Sequence, residues 1–436
     1  MTGILENYFH LKKHGTDVKT EVMAGIVTFM TVAYIIVVNP AILEAAGIPF
    51  GPSMVATILS AVFGTLLMGV YAKKPIAIAP YMGENAFVAY TVVGVLGYSW
   101  QTALGAVFIS GVLFTILTIS GLRNKTIDAV PDNLKYSFAA GLGLFITFIG
   151  LVNAGVVSLG VEGAPLHVGA LNTIPVALTL FGFLVISTLM IKKVKGSILI
   201  GIIITAILSF ATGVSQTPDR IVSMPPSIAP ILLQLDIAGA LTWGFFAVIL
   251  TMFTMDLMDT MGTLVGVSLK AGYMDEQGRL DDMEKPFLAD ALATMFGALA
   301  GTTTTGAYIE SATGIEEGGR TGLTAVVIAF LFTLGLFFYP VFSSIPPAAT
   351  SPALIVVGLL MMGSIKKIDM EDLTEMIPAM AVIILMSFTY NLGVGLCAGF
   401  VLFPLLKLVS GKTSEVKPIA WALFVLCSLF FIFYPY

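Results

Sequence analysis

Stretches of about twenty mostly apolar residues recur along this chain, and that recurrence leaves it few folds to choose from. A helix of that length matches the hydrocarbon thickness of a bilayer. Spans read near 20–38, 52–70, 76–97, 100–122, 132–154, 174–191 and 196–214, then near 240–264, 286–301, 302–318, 321–341, 350–364, 374–391 and 393–409. A more polar connector, 215–237, with Pro218, Pro225, Pro226 and Pro230, separates seven spans from seven. A last apolar run, 418–434, reads either as a fifteenth span or as a helix lying at the interface. Composition agrees: 57% of the 436 residues are hydrophobic and 11% charged, against roughly 25% charged in a soluble domain. This excludes a soluble enzyme, a secreted disulfide scaffold, a nucleic-acid binder and a disordered chain. The fold class is an all-α polytopic membrane protein.

Basic residues flank membrane spans on the cytoplasmic side. With the N-terminus in the cytoplasm, all but one of the 21 Lys and Arg residues fall on inside segments, the exception being Arg220. One missed span would scramble every later loop, so the count of fourteen is well constrained. A cell-membrane location with a cytoplasmic N-terminus is the default. The first 19 residues carry Lys12, Lys13 and Lys19 and no apolar core, so no cleavable signal peptide is expected. Cys397 and Cys427 lie in apolar runs and read as buried, inert thiols.

Seven is odd, so if the halves are related, the second is inserted upside down. The third span opens with Pro75-Ile-Ala-Ile-Ala-Pro-Tyr-Met-Gly-Glu-Asn85. The tenth opens with Gly301-Thr-Thr-Thr-Thr-Gly-Ala-Tyr-Ile-Glu310. Proline disfavours helix at the residue before it, and the threonines are β-branched. Both spans should therefore begin extended and turn polar where a helix starts. Non-helical backbone at membrane depth is tolerated only inside protein or along a cavity. Two such helix starts meeting near the midplane would suit a small planar or anionic ligand.

A carboxylate within a span costs about 2.5–3.5 kcal/mol on insertion scales. Asp256 and Asp259 share one face of the eighth span; Glu310 sits in the tenth, and Glu84 and Asn85 in the third. Asp256, Glu310 and Asn85 are the candidate substrate ligands, with Thr303 and Thr304 beside them. Asp256, Asp259, Glu310 and Glu84 are the candidate proton carriers. The alternative is that these groups are neutralised by protonation or by bonds to neighbouring helices. Asp259 serves equally well as a structural acceptor, and the Thr302–Thr305 hydroxyls as partners for broken backbone. His10, His14 and His167 lie outside the spans, so no histidine relay is available. No metal or cofactor is expected. Residues 273–285 read as a solvated cytoplasmic loop, and Glu316, Glu317 and Arg320 as a solvated helix end.

Several segments together resemble the nucleobase/cation symporter family 2, in its azaguanine-resistance-like branch of adenine, guanine and hypoxanthine permeases. They are Thr28-Phe-Met-Thr-Val-Ala-Tyr-Ile-Ile-Val-Val-Asn-Pro-Ala-Ile-Leu43, Asp256-Leu-Met-Asp-Thr-Met-Gly-Thr263, Lys270-Ala-Gly272, Leu288-Ala-Asp-Ala-Leu-Ala-Thr294, Gly301 to Gly314 and Gly318-Gly-Arg-Thr-Gly-Leu-Thr-Ala325. The resemblance implies fourteen segments in two inverted repeats of seven. It implies a core domain at 1–122 and 238–341 (spans 1–4 and 8–11) and a gate domain at 123–237 and 342–436 (spans 5–7 and 12–14). Members of the wider fold are often homodimers through the gate. The family's functional positions fall on Asp256, Glu310 and Asn85, with Asp259 in support. The implied activity is uptake of a purine nucleobase with a coupling proton. One departure stands out: the family usually has an apolar residue before the third-span Asn, where this chain has Glu84.

Three other readings are weighed against this one. A same-fold anion carrier would favour positive charge in its site, and this one is rich in carboxylates. A membrane aspartyl protease needs two aspartates from different helices, whereas Asp256 and Asp259 share one. A channel fits poorly with single central carboxylates on broken helices.

Overall fold

The computed structural model describes residues 2–120, 130–161, 164–242, 246–273 and 284–433. Most of the expected cytoplasmic loop at 273–285, including Arg279, lies outside the described residues, as do Arg123 and Lys125.

Among the described residues, fifteen principal helical segments follow one another, with a short strand before the third and the tenth. The first half comprises α1 (Val18–Glu44, turning at Ala33–Tyr34), α2 (Phe50–Tyr71), β1 (Ile78–Pro80) and α3 (Met82–Ala86). Helix α3 continues into a wider, π-wound stretch, Phe87–Val95. Then come α4 (Trp100–Ile119), α5 (Asp132–Asn153), the antiparallel pair β2 (Val157–Val161) and β3 (Ala164–Val168), α6 (Ile174–Ile191) and α7 (Ser197–Ala211). The second half comprises α8 (Phe246–Ala271), α9 (Glu284–Ala300), β4 (Thr305–Ala307), α10 (Ser311–Glu316), α11 (Gly322–Ser343), α12 (Pro347–Met362), α13 (Leu373–Phe388) and α14 (Leu392–Val409). Helix α15 (Pro418–Phe433) packs on α14. Among the described residues, nine helices are long and apolar enough to cross a bilayer, and α7, α13 and α15 are shorter apolar helices.

Local chemistry starts the helices where they start. Asp17 caps α1 by accepting from the N–H of Thr20 at 2.8 Å, and Ser99 caps α4 through Thr102 at 3.1 Å. Thr321, Asp372 and Asn391 cap α11, α13 and α14 in the same way. Each removes one orphan donor from a helix end. The β2–β3 hairpin was not foreseen. Its apolar residues also fit a loop between two spans, and two short strands leave too brief a periodicity to read.

The packing falls into two groups. Helices α5, α6, α7, α12, α13 and α14 pack chiefly on one another; α1, α2, α4, α8, α9, α10 and α11 do likewise. The strands meet inside the second group. β1 pairs antiparallel with β4 in the register Ile78 with Ala307, Ala79 with Gly306 and Pro80 with Thr305. Tyr81 N donates to Thr304 O and Tyr308 N to Ala77 O, each at 2.9 Å, which extends the ladder both ways. A two-stranded sheet has two open edges, which a bilayer interior cannot satisfy. Threonines close them. The Thr65 hydroxyl accepts from Ile78 N at 2.9 Å and donates to Ile78 O at 3.0 Å. The Thr294 hydroxyl accepts from Thr305 N at 3.2 Å and donates to Thr305 O at 3.1 Å.

Basic residues expected on one side meet at one end of the bundle. Lys73 Nζ donates to Tyr8 O at 3.2 Å, and Lys74 lies 3.9 Å over the Tyr273 ring. Tyr273 in turn donates to Arg320 O at 2.7 Å. The expected solvated helix end is more structured than its charges suggested. Glu316 pairs with Lys270, Glu317 pairs with Lys195, and Arg320 donates to the carbonyls of Ile315 and Gly319.

Candidate functional site

The two strands deliver their chains to one place. α3 begins directly after β1 and carries Glu84 and Asn85 in its opening turn; α10 begins directly after β4 with Glu310 at its N-cap. α3 spans five residues before its winding changes, and α10 spans six. Neither carries a long aligned dipole, so specific side chains define the site rather than helix ends alone. α8 passes beside both and contributes Asp256, Asp259 and Thr260.

Glu84, Asn85, Asp256, Thr303 and Thr304 are completely buried. Asp256 Oδ1 lies 3.3 Å from the Thr260 hydroxyl, whose single proton has a nearer acceptor in Asp290 at 2.7 Å. Asn85 donates through Nδ2 to Asn39 Oδ1, while its own Oδ1 meets no donor. The hydroxyls of Thr303 and Thr304 lack partners as well. The Glu84 and Asp259 carboxyls are electrostatic neighbours, and neither Glu84 oxygen has a hydrogen-bond partner among the described residues. Glu310 Oε1 accepts from the Tyr34 hydroxyl at 2.9 Å.

A cavity of about 1120 Å³ reaches this region from the basic end of the bundle. Its wall includes Lys193, Lys195 and Lys367 at the mouth and Thr31, Asp259, Glu310 and Thr313 within. Asp256, Glu84, Asn85, Thr303 and Thr304 lie behind this wall. The sequence-chosen residues thus divide into two carboxyls that face the cavity and a buried polar set beyond it. Away from the cavity lining, aromatic side chains pack between the stretch after α3, α5 and the α13–α14 turn. The Tyr390 ring packs edge-on to Tyr90, Phe145 and Phe148, and Tyr390 O accepts from Thr91 at 2.6 Å. Asn153 donates to the Tyr90 hydroxyl at 3.0 Å.

Sequence reasoning missed several residues here. Asn39 donates to Thr57 Oγ1 at 2.7 Å and Thr302 Oγ1 at 2.9 Å, and so links α1, α2 and the strand region. Asp290 is fully buried; it accepts from Ala307 N at 2.8 Å and from Thr260 at 2.7 Å. Glu21, also buried, accepts from Arg320 N at 2.8 Å and from the Thr324 hydroxyl at 2.6 Å, which caps α11 from another helix. Tyr81 and Tyr308 stack at 6.0 Å and 11° beside the strands. The available signal was a lone polar residue in an apolar run, as for Asn39, or a carboxylate within a span, as for Asp290.

Fold and site define a multi-pass membrane transporter built from two inverted repeats of seven segments. The transmembrane domain of a cyanobacterial bicarbonate transporter, BicA, shares this fold at a TM-score of 0.64 and 13% identity, with 87% of this chain and 97% of that one aligned. The family described as Permease family (Xan_ur_permease) matches residues 19–433, and the chain belongs to it. Over 429 residues the chain is 48% identical to the putative permease MJ0326 of Methanocaldococcus jannaschii, covering 98% of each. It is 41% identical to the guanine/hypoxanthine permease PbuO of Bacillus subtilis, covering 97% of this chain and 99% of the relative. It is 38% identical to the adenine permease AdeP of Escherichia coli, covering 95% and 93%. The chain falls within the purine-permease branch of the nucleobase/cation symporters and is a transporter rather than an enzyme.

Proposed function

We propose that this protein imports a purine nucleobase across the cell membrane together with a proton, by alternating access. The observation that carries the reading is the set of fully buried polar groups without partners beside the β1–β4 pair: Asn85 Oδ1 and the Thr303 and Thr304 hydroxyls. Leaving such groups unpaired costs about 1–3 kcal/mol each. A flat base with ring N–H groups, ring nitrogens and an exocyclic group offsets that cost. The names of the relatives, guanine/hypoxanthine and adenine permeases, point to the same ligand class.

In this reading Asp256 and Glu310 accept from ring N–H groups, with Asn85, Thr303 and Thr304 completing the contacts. A base of the wrong pattern leaves buried groups unpaired, which discriminates strongly. Among Asp256, Asp259, Glu310 and Glu84, the Glu84–Asp259 pair is the natural proton store. A proton taken up from outside is held by these two carboxyls and leaves through the inner cavity, which Asp259 lines. The core (1–122 and 238–341) would move against the gate (123–237 and 342–436), in keeping with the two packing groups. The open inner cavity fits an inward-facing state with a cytoplasmic N-terminus. A homodimer through the gate is part of the proposal.

The test is equilibrium binding of adenine, hypoxanthine and guanine to the purified protein, with Glu310→Gln alongside. Binding of at least one purine that Glu310→Gln weakens at least tenfold is expected. Equal binding by the variant would remove Glu310 from the site.

A further inference from the structure

Asn85 is an amide, and an amide can present either its carbonyl or its NH₂ to a ligand. A chain of hydrogen bonds decides which. Thr57 in α2 donates its single hydroxyl proton to Ser53 O at 2.7 Å. It therefore meets Asn39 only as an acceptor, and the group that Asn39 turns toward it, at 2.7 Å, is the NH₂. The same NH₂ donates to Thr302 Oγ1 at 2.9 Å. With its nitrogen so committed, Asn39 turns Oδ1 toward Asn85, which must answer with its own NH₂. The carbonyl of Asn85 is what remains, fully buried and without a donor. Every member of the chain is buried: Ser53, Thr57, Asn39, Thr302 and Asn85.

We infer that Asn39 is a positioning residue that sets the hydrogen-bond polarity of the site. It fixes Asn85 as an acceptor, so the ligand edge facing α3 must bring an N–H donor. The inference rests on the proposed purine site and adds to it a rule for which edge is accepted. Beside Asn85, Asp256 also favours accepting, so this wall of the site selects donors. A purine meets the rule with a ring N–H or an exocyclic amino group. A base whose ring nitrogen on that edge is methylated has lost the donor and should be excluded.

The test compares wild type, Asn39→Leu and Asn39→Asp in proteoliposomes. Uptake of the labelled purine that wild type transports is measured in competition with its N-methylated isomers. Asn39→Leu removes the partner of the Asn85 NH₂ and frees the amide to turn. KM should rise about tenfold, the scale of one well-oriented hydrogen bond, with little change in maximal rate. Discrimination against the excluded methyl isomer should fall in parallel. Asn39→Asp, as the neutral acid, can still donate to a threonine and accept from Asn85, so it should keep both KM and discrimination near wild type. Binding of the same bases to purified variants in detergent separates these effects from poor insertion. Unchanged KM and discrimination in Asn39→Leu would overturn the inference while leaving the purine site intact. Equal losses in both variants would also overturn it, by reducing Asn39 to a packing role. If wild type takes up and binds no purine, the proposed function fails and this inference fails with it.

Discussion

Thr65 and Thr294 do the same work on opposite strands. Each uses one hydroxyl to accept from a strand N–H and to donate to the same residue's carbonyl, Thr65 on Ile78 and Thr294 on Thr305. Thr65 lies in the second segment of the first repeat and Thr294 in the second segment of the other, so the inverted repeat is written into single side chains. Valine has the same shape but no hydroxyl, and it would strand a buried N–H and C=O. Thr65→Val and Thr294→Val should each cost about 1–3 kcal/mol, and serine at either position should recover most of that. Thermal unfolding of the purified variants checks this. Valine variants as stable as wild type would contradict the account of the strand edges.

Tyr34 and Glu310 give a second expectation. The 2.9 Å bond holds the carboxyl of α10 against α1. Tyr34→Phe should raise KM for the transported base about three- to tenfold while leaving insertion normal, in line with the loss of one bond to a carboxylate. Glu310→Gln should abolish uptake or uncouple it from the proton gradient. Full coupled transport in Glu310→Gln would remove Glu310 from the mechanism.

The Glu84–Asp259 pair predicts a change in coupling rather than in fold. Glu84→Leu removes the carboxyl and keeps an apolar side chain of similar size. It should keep base binding within about threefold, since Asn85 and Asp256 remain, while protons carried per base fall. Measuring proton flux against base flux checks this. An unchanged ratio would move the proton store elsewhere.

An ionic cluster closes the basic end of α13 and α14. Lys407 is buried and lies 2.8 Å from Glu375 and 2.6 Å from Glu415. Lys407→Met should destabilise by about 2 kcal/mol, less than for a fully buried pair, because Glu415 reaches solvent. Recovery of that stability in the double variant Lys407→Met/Glu375→Gln would show that the unpaired Glu375 is the cause. Thermal unfolding of both variants reads it, and a harmless single substitution would contradict the assignment.

Asp372, at the N-cap of α13 outside the span, gives the pH dependence. The Lys412 ammonium at 2.6 Å, followed by the hydroxyl and N–H of Thr374, holds its carboxyl well below the ordinary range. A group depressed in the folded state stabilises fully above its unfolded value, about 3.9 for Asp, and loses that contribution as pH falls through the folded value. The melting-temperature gap between wild type and Asp372→Asn should therefore be constant near neutral pH and shrink below about pH 4. A gap that widens on acidification would contradict the sign.

Much of the architecture was legible in the sequence because bilayer thickness and basic flanks act on whole segments. The span opening at Trp100 needed no tertiary knowledge, whereas the first, read near 20–38, runs on to Glu44 past a turn at Ala33–Tyr34. Side-chain pairing is different. Asn39 and Thr57 lie 18 residues apart, and Asn39 and Thr302 lie 263 apart, so no local pattern joins them. Glu21 likewise reads as a helix-start acid, yet it caps a helix about 300 residues away. Lys407 counted toward an inside segment, but the fold buries it among carboxylates. Asp256 and Asp259 share a helix face, yet only Asp259 reaches the cavity, because depth depends on what packs beside α8.

The most direct test of the central claim is uptake of labelled adenine, hypoxanthine, guanine, xanthine and uracil into proteoliposomes, with and without an inward proton gradient at constant sodium. The account predicts accumulation of one or two purines that collapses with a protonophore. No uptake of any base by correctly folded protein, or purine uptake indifferent to the proton gradient, would contradict it.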